Sequence, residues 1–198
     1  MTDEHLMQRY QAGDDAAFSE LESRYNSRLL AFFLKWLSLP NLADAQDLAA
    51  DTWIGVICSK SSFNSDIGRF FTWLFGIARN IGKDALAKRY RGELPWSTAE
   101  SENEPSADED GPVCGDELAD VEAAMISRIT VAEALEKLSP SDREVLLLYY
   151  VYDCTGPEIA QILSCSTAAA KSRLRRALQK ILEHVLPEVQ TVPKRRAI

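Results

Sequence analysis

A long apolar stripe with helical spacing lies near the N-terminus of this chain and limits the folds it can adopt. Apolar residues recur three or four positions apart at Phe18, Leu21, Tyr25, Leu29, Phe32, Phe33 and Trp36. Side chains at these intervals lie on one face of an α-helix, so the stripe predicts a long amphipathic helix. Pro40 predicts its end, because proline cannot continue a helix. A helix with one apolar face must pack against other elements, which favours a helical bundle.

Three further helices complete the predicted N-terminal bundle. A short helix is expected around Leu6 to Tyr10, a second from about Asp44 to Ile57, and a third from about Asp66 to Tyr90. The buried stripe of that third helix is formed by Phe70, Leu74, Ile77, Ile81 and Ala85. No alternating strand pattern competes with this reading.

The C-terminal half carries a second set of helical signals. Its first apolar stripe consists of Val121, Met125, Ile129, Ala132, Leu135 and Leu138. Ser139 and Pro140 then provide an N-cap and a proline at the first helical position, before a helix that contains Val145 to Tyr150. The Thr155 and Glu158 pair has capping-box spacing and opens a helix through Leu163. Ser166 can cap the last helix, whose stripe is Ala170, Leu174, Leu178, Ile181 and Val185.

An acidic segment separates the two sets of helices. The formal net charge is −8, from 22 basic and 30 acidic residues. Residues 92–127 hold eleven of the acids and no Lys or Arg, so subtracting them leaves 19 acids against 22 basic residues elsewhere. Segments rich in Glu, Ser, Pro, Asp and Gly cannot bury enough apolar surface to offset their ordering entropy. We therefore predict an all-α fold with two small helical bundles joined by a flexible acidic linker.

The predicted domains are 1–91 and 121–187, with the linker at 92–120 and a basic tail at 188–198. The most apolar stretch is eleven residues long and contains Lys35, whereas a membrane-spanning helix needs about 20 apolar residues. The N-terminus lacks the pattern of a secretory signal, so we expect a cytoplasmic protein without membrane contact. The cysteines, Cys58, Cys114, Cys154 and Cys165, have no C-x-x-C spacing, and neither a metal site nor a cofactor is predicted.

The two last helices form a helix-turn-helix pattern with a basic second helix. Its candidate DNA contacts are Ala168, Ala169, Lys171, Ser172, Arg173, Arg175 and Arg176. Arginine can bind guanine O6 and N7 in the major groove, and small residues can lie against thymine methyl groups. The alternative is an ordinary solvated basic helix that only packs on its neighbours. The capped helix and the short turn before it favour DNA binding.

Three segments of this half resemble region 4 of the extracytoplasmic-function sigma factors. They are Leu135 to Tyr149, Glu158 to Leu163, and Lys171 to Ala177. The resemblance implies that this module reads the minus-thirty-five element of a promoter. The family's usual turn glycine is replaced by Ser164, which must adopt an unfavourable backbone unless the turn differs. The branched apolar residue that usually precedes Lys171 is replaced by Ala170.

The segment Asp44 to Trp53 resembles region 2.2 of the same family, which binds the clamp helices of the polymerase's largest subunit. The implied polymerase-binding residues are Asp44, Asp47, Leu48 and Asp51. Their spacing places them on one helix face, with three carboxylates around an apolar centre that suits a basic partner helix. Alternatively, the carboxylates are a solvated face near a favourable helix N-terminus. Trp53 is expected in the core.

The segment Phe70 to Asn80, continuing to Arg91, resembles regions 2.3 and 2.4, which melt and hold the minus-ten element. The candidate contacts are Ser62, Phe63, Asn64, Trp73, Arg79, Asn80 and Lys83. Thr72, Gly76, Arg79 and Lys83 lie opposite the buried stripe and predict an open cationic track for a single strand. In the family, the loop that contains Phe63 helps to hold an extruded base. Phe63 can stack on that base or anchor the loop in the bundle.

The resemblance implies a non-enzymatic sigma factor that directs promoter-specific initiation. Its implied partners are core RNA polymerase, through the largest-subunit clamp helices and the flap, promoter DNA, and an anti-sigma protein. The alternative is a stand-alone helix-turn-helix regulator, for which the sequence offers no heptad seam or ligand pocket. An enzyme is disfavoured because a phosphate-binding loop, a nucleophile elbow and a metal cluster are all missing from the sequence.

Overall fold

The structure, a computed structural model, describes residues 1–93 and 128–189. Four helices form the first bundle: α1 (Asp3–Gln11), α2 (Asp15–Leu37), α3 (Leu42–Ser59) and α4 (Phe70–Glu93). The second bundle contains α5 (Arg128–Lys137), α6 (Pro140–Leu146), α7 (Gly156–Leu163) and α8 (Thr167–Val189). A 3₁₀ turn follows α3 at Lys60–Ser62, and a π-helical turn follows α6 at Leu147–Val151. The described residues contain no β-strand, which agrees with the predicted all-α class.

The core of the first bundle is built on the apolar stripe of α2. Leu21, Leu29, Phe32, Phe33 and Trp36 are at most 1% exposed. The helix ends at Leu37, and the next residue, Ser38, adopts the left-handed conformation two residues before Pro40. The predicted end of α2 is therefore confirmed, although the residue that terminates it is Ser38.

Glycine allows α4 to pack closely against α2. A Cβ atom placed at Gly82 would lie 2.2 Å from Cζ3 of Trp36, which is far inside van der Waals contact. The buried indole of Trp36 and the backbone of α4 can therefore share this space only when residue 82 has no side chain. This contact fixes the distance between the two longest helices of the first bundle.

Helix α4 begins four residues later than predicted, at Phe70 instead of Asp66. Asn64 Oδ1 accepts a hydrogen bond from the backbone N–H of Asp66 at 2.9 Å, which holds the preceding residues in a turn. Glu4 Oε1 of α1 accepts from the backbone N–H of Phe70 at 3.2 Å. The start of α4 is thus stabilised by a distant side chain, and no local pattern could indicate it.

The capping signals of the second bundle are borne out. Ser139 is the N-cap of α6, and its Oγ accepts from the backbone N–H of Asp142 at 3.2 Å. Glu158 Oε2 accepts from the backbone N–H of Thr155 at 2.9 Å, as the capping-box spacing predicts. Ser166 Oγ accepts from the backbone N–H of Ala169 at 3.1 Å at the start of α8. Ser164 adopts φ +52° in the turn between α7 and α8, so serine does take the left-handed conformation there.

The two bundles pack against each other through α2, α4, α6 and α7. Trp36 Nε1 donates to the carbonyl oxygen of Pro140 at 3.0 Å. Arg143 of α6 is only 5% exposed, and its guanidinium donates to Trp36 O at 2.9 Å and to the hydroxyl of Ser38. The same guanidinium donates to carbonyl oxygens at the end of α5, those of Leu135, Glu136 and Leu138. Arg143 therefore joins the C-terminal ends of α2 and α5.

Several segments lie outside the described residues. They include most of the predicted linker, the predicted helical positions Val121 and Met125, and the last part of the basic tail from residue 190. In the described residues, no helix has the length and apolar character needed to cross a membrane.

Candidate polymerase and nucleic-acid interfaces

The predicted polymerase-binding residues lie together on the surface of α3. Asp44, Asp47 and Asp51 are exposed, and Leu48 between them is half-buried. The helix begins with Asn41, whose Oδ1 accepts from the backbone N–H of Asp44 at 2.9 Å. Trp53 is buried at 5% exposure, as expected for a core residue. The structure thus presents three carboxylates around one apolar side chain.

An exposed apolar residue extends this face toward the end of α3. Ile54 is 57% exposed and follows Asp47 and Asp51 at helical spacing. A single exposed isoleucine is unremarkable, but one that continues a charged stripe provides additional apolar contact area for a partner. Ile54 is not among the predicted polymerase-binding residues, although its helical spacing from Asp47 is visible in the sequence.

The loop before α4 is anchored by Phe63. This side chain is 5% exposed, and its ring packs edge-on against Trp73, with centroids 5.4 Å apart. Gln11 Nε2 donates to the carbonyl oxygen of Phe63 at 2.9 Å. Ser62 and Asn64 on either side are exposed, whereas Trp73 is half-buried. This arrangement fits the second of the two roles predicted for Phe63, which is to anchor the loop in the bundle.

The predicted cationic track on α4 is not open in this structure. Thr72 is 1% exposed and Arg79 is 8% exposed, because α4 packs against α7 of the second bundle. Asn80 and Lys83, which border the contact, remain exposed. The expectation of an unobstructed track is therefore wrong for this conformation, since the second bundle lies over it.

A buried ion pair lies where the track is covered. Arg79 Nε is 3.1 Å from Glu144 Oε1, and Glu144 is 3% exposed. Burial raises the pKa of Glu144 to about 7, although the positive charges of Arg79, Lys83 and Arg173 oppose this shift. Arg79 and Lys83 belong to the predicted minus-ten contacts, and Arg173 belongs to the predicted minus-thirty-five contacts on α8. Cations from both candidate DNA surfaces therefore face one carboxyl group.

The basic helix α8 keeps most of its predicted contact residues accessible. Ala168, Lys171, Arg175 and Arg176 are exposed. The other three predicted contacts, Ala169, Ser172 and Arg173, are half-buried. Ala170 and Ala177 on the opposite face are buried against the bundle, at 2% and 0% exposure. A helix with this division can present its basic side to a DNA groove while its apolar side holds the domain together.

The cysteines form no metal site in the described part of the chain. Cys154 is buried, Cys165 is half-buried and Cys58 is exposed, while Cys114 lies outside the described residues. Burial raises the pKa of Cys154 to about 12, which keeps this thiol protonated and unreactive. Among the described residues, no group of three His, Cys, Asp or Glu side chains is arranged to hold a metal ion.

Comparison with known proteins finds two family models in the expected order. Sigma-70 region 2 matches residues 23–92, and sigma-70 region 4 matches residues 128–181. The RNA polymerase sigma-H factor of Pseudomonas aeruginosa is 28% identical over 192 residues, which cover 94% of this chain and 96% of the relative. The ECF RNA polymerase sigma-E factor of Escherichia coli K12 is 29% identical over 193 residues, covering 96% and 97%.

Solved structures show the same fold. CnrH in complex with the cytosolic domain of CnrY has a TM-score of 0.63 and 25% identity, covering 96% of this chain and 99% of that one. The sigma factor RpoE of Bartonella quintana in complex with the anti-sigma factor NepR has a TM-score of 0.60 and 20% identity, covering 89% and 98%. The chain belongs to the sigma-70 family of RNA polymerase sigma factors. Within that family it is an extracytoplasmic-function sigma factor, which directs the initiation of transcription.

Proposed function

We propose that the acidic face of α3 binds core RNA polymerase while α4 and α8 contact separate elements of one promoter. The observation that carries this assignment is the exposure of Asp44, Asp47 and Asp51 around Leu48 on one helix face. The charges provide steering and register toward a basic partner helix, and Leu48 and Ile54 provide apolar contact. The proposed partner surface is the clamp helices of the polymerase's largest subunit.

The first bundle would hold the minus-ten element as a single strand. Asn80 and Lys83 are exposed beside the covered part of α4, and Thr72 and Arg79 extend the polar surface once that part is accessible. Hydroxyl and guanidinium groups bind backbone phosphates, and the asparagine amide has the donor and acceptor needed to read a base edge. Phe63 would support the loop that carries Ser62 and Asn64, which are the exposed candidates for contact with an extruded base.

The second bundle would bind the minus-thirty-five element through α8. Arg175 and Arg176 are exposed, and their side chains are long enough to reach base edges. Each guanidinium can donate two hydrogen bonds to one guanine. Lys171 is exposed near the start of the helix, where a lysine suits a phosphate. Ala168 and Ala169 are small enough to permit close approach to the groove floor.

The remaining functional assignments follow from this role. We infer a cytoplasmic, non-enzymatic subunit, because the polymerase supplies all the chemistry. The flap of the polymerase is the proposed docking site for the second bundle. The domain limits 1–91, 92–120, 121–187 and 188–198 are proposed on the same basis. An anti-sigma protein is a further proposed partner, because the sigma factor RpoE of Bartonella quintana, which has a similar fold, was solved in complex with the anti-sigma factor NepR.

The test is complex formation with core polymerase in gel filtration. Asp47→Arg places a positive charge in the centre of the acidic face and should abolish co-elution, because like charges across an interface cost several kcal/mol. Glu22→Arg, at an exposed position on α2, makes the same charge change elsewhere and should leave co-elution intact. Equal binding by both variants would refute the assigned face, and no complex with the wild type would refute the function. Tight binding to palindromic duplex DNA without polymerase would instead indicate a stand-alone regulator.

A further inference from the structure

The loop between α3 and α4, residues 60–69, is folded into two successive turns. It carries Ser62 and Asn64, the exposed side chains proposed to contact an extruded base. The backbone N–H of Phe63 donates to Lys60 O at 3.4 Å, and that of Ile67 donates to Asn64 O at 3.1 Å. Each of these bonds closes a turn within the loop and does not attach the loop to a neighbouring helix. The orientation of the loop on the bundle therefore depends on side chains from elsewhere.

A row of polar side chains on α1 runs along this loop. Glu4, Gln8 and Gln11 follow one another at intervals of four and three, so they share one face of the helix. Glu4 Oε1 accepts from the backbone N–H of Phe70, which begins α4, at 3.2 Å. Gln8 Nε2 donates to Ser65 Oγ in the loop at 2.9 Å. Together with Gln11, these side chains connect α1 to the loop at three places.

Gln11 binds the backbone of the loop with its side-chain amide. Its Nε2 donates to Lys60 O at 2.7 Å and to Phe63 O at 2.9 Å. Main-chain carbonyl oxygens can only accept hydrogen bonds, so the nitrogen of the amide must face them. The two acceptors lie at either end of the 3₁₀ turn Lys60–Ser62, so one amide group holds both ends of this turn.

The position of Phe63 sets the direction of its two neighbours. Its ring is buried against Phe70 and Trp73, with centroids 6.0 and 5.4 Å away, while its carbonyl oxygen is held by α1. The backbone of Phe63 is extended, with φ −71° and ψ 131°, and in extended backbone neighbouring side chains point in different directions. Ser62 and Asn64 are therefore turned to solvent as long as Phe63 is fixed in the core.

The attachment of α1 to the first bundle has a separate basis. Leu6, Met7 and Tyr10 form the apolar face of α1 and are at most 6% exposed. Burial of these side chains holds the helix on the bundle. Gln11 is half-buried at the edge of that face, and both hydrogen bonds of its amide end on the loop. Removal of this amide should therefore release the loop and leave α1 in place.

We propose that Gln11 is a positioning residue for base selection, which holds the loop in the conformation that presents Ser62 and Asn64 to an extruded minus-ten base. This proposal rests on the proposed function, because that function assigns Ser62 and Asn64 to the base. A loop that is already held in its binding conformation loses little conformational freedom when the matching base binds. A loop that can rearrange accommodates several bases and discriminates less between them.

The first experiment measures base discrimination by the holoenzyme. A promoter fragment is selected from genomic DNA by transcription with the wild-type full chain and core polymerase, and each base of its minus-ten element is then replaced in turn. Gln11→Glu keeps the size of the side chain but removes both donors, and Gln11→Met removes them without adding charge. Both variants should lower the ratio of initiation from preferred to other bases about tenfold at one or two adjacent minus-ten positions. Ratios at the minus-thirty-five element should be unchanged.

Gln8→Glu is the matched control on the same face of α1. It adds the same charge as Gln11→Glu, but the hydroxyl of Ser65 can donate to the new carboxylate, so the contact with the loop is kept. Its base ratios should equal those of the wild type. Thermal unfolding and binding of core polymerase, measured for all three variants, should also match the wild type.

Hydrogen–deuterium exchange of the free full chain tests the loop without DNA. Peptides that cover residues 60–69 should exchange about tenfold faster in Gln11→Met than in the wild type, because the loop opens more often. Peptides from α2 should exchange at the wild-type rate, which separates release of the loop from a general loss of stability.

The outcomes separate the inference from the proposed function. Unchanged base ratios, an equal fall in initiation on all sequences, equal relaxation by Gln8→Glu, or unchanged exchange of the loop would each overturn the positioning role and leave the sigma-factor role intact. Failure of the wild-type holoenzyme to discriminate between bases at the minus-ten element would overturn the proposed function and the positioning role with it. Selective relaxation by both Gln11 variants together with faster exchange of the loop would establish the positioning role.

Discussion

Arg79 of α4 and Glu144 of α6 form an ion pair that links the two bundles, with 3.1 Å between Nε and Oε1. Arg79 is 8% exposed and Glu144 is 3% exposed. The pair removes from solvent one of the cations that we propose as minus-ten contacts. Its buried position also makes the stability of the packed bundles sensitive to pH.

Replacing Glu144 by glutamine should remove part of the pH dependence of stability. Burial raises the pKa of Glu144 from 4.5 to about 7, against the opposing charges of Arg79, Lys83 and Arg173. Because the folded-state pKa is raised, the stability contributed by protonated Glu144 is complete below pH 4.5 and is lost as the pH rises to about 7. The free energy of unfolding of the wild type should therefore fall as the pH rises over this window. Its fall should exceed that of Glu144→Gln by on the order of 3 kcal/mol.

Urea denaturation at several pH values from 4.5 to 8 measures this difference. Glu133→Gln, an exposed carboxylate on α5, should keep the wild-type dependence. Identical curves for the wild type and Glu144→Gln would contradict the assigned burial.

Gly82→Ala should destabilise the first bundle and loosen the contact with the second. The new methyl group would lie 2.2 Å from Trp36 Cζ3, so the indole must move and its hydrogen bond to Pro140 O must weaken. Overpacking of this kind costs about 1–3 kcal/mol, and we expect a corresponding fall in the free energy of unfolding. Gly76→Ala is the matched control on the same helix, because a Cβ atom there meets no atom within 4 Å. A stable Gly82→Ala variant with an unshifted Trp36 fluorescence spectrum would speak against this packing.

Arg143→Met should be among the most destabilising single substitutions in the chain. It removes donors from four carbonyl oxygens and the Ser38 hydroxyl, in a site where Arg143 is 5% exposed. Loss of a buried, charged donor that serves several acceptors costs about 3–5 kcal/mol. Lys88→Met, at an exposed position on α4, should change the free energy of unfolding by less than about 0.5 kcal/mol. Chemical denaturation followed by circular dichroism measures both, and similar values for the two variants would exclude the joining role of Arg143.

Arg176→Ala and Lys171→Ala should affect promoter binding by the holoenzyme in different ways. Arg176 is exposed on the proposed base-reading side of α8, so its loss should cost about 1–3 kcal/mol and relax preference at one base pair. Lys171 is assigned to a phosphate, so its loss should weaken binding to all sequences and reduce the slope of log K against log salt by about one. Competition binding with promoter variants at several salt concentrations distinguishes the two. If both variants lose affinity uniformly, α8 does not read bases through Arg176.

Many features of the fold follow from the local sequence. The apolar stripe from Phe18 to Trp36 predicted α2, and all its members except the half-buried Phe18 are buried, because a helix places residues three and four apart on one face. Ser139, Glu158 and Ser166 make the capping hydrogen bonds that their spacing indicated, because caps involve groups within one helical turn. The start of α4 was predicted too early, because it is stabilised by Glu4 of α1.

The candidate interfaces also combine features that local sequence predicts with features that depend on tertiary packing. Periodicity correctly placed the three carboxylates of α3 on one exposed face, because that face depends on the geometry of a single helix. The covering of Thr72 and Arg79 could not be predicted, because periodicity identifies the face of a helix but not the element that packs on it. Phe63 illustrates the limit, since an aromatic residue in a loop can equally face a ligand or the core.

The helices, most of their boundaries and the order of the two sigma regions could be predicted from local sequence, because they depend on interactions within a few residues. The packing of the two bundles through Tyr152, Arg143 and the pair of Arg79 with Glu144 becomes visible only in the folded chain. Trp36 and Pro140 are hydrogen-bonded across 104 positions of sequence. Contacts of that kind depend on the shapes and charges of two assembled surfaces, which neither segment encodes alone.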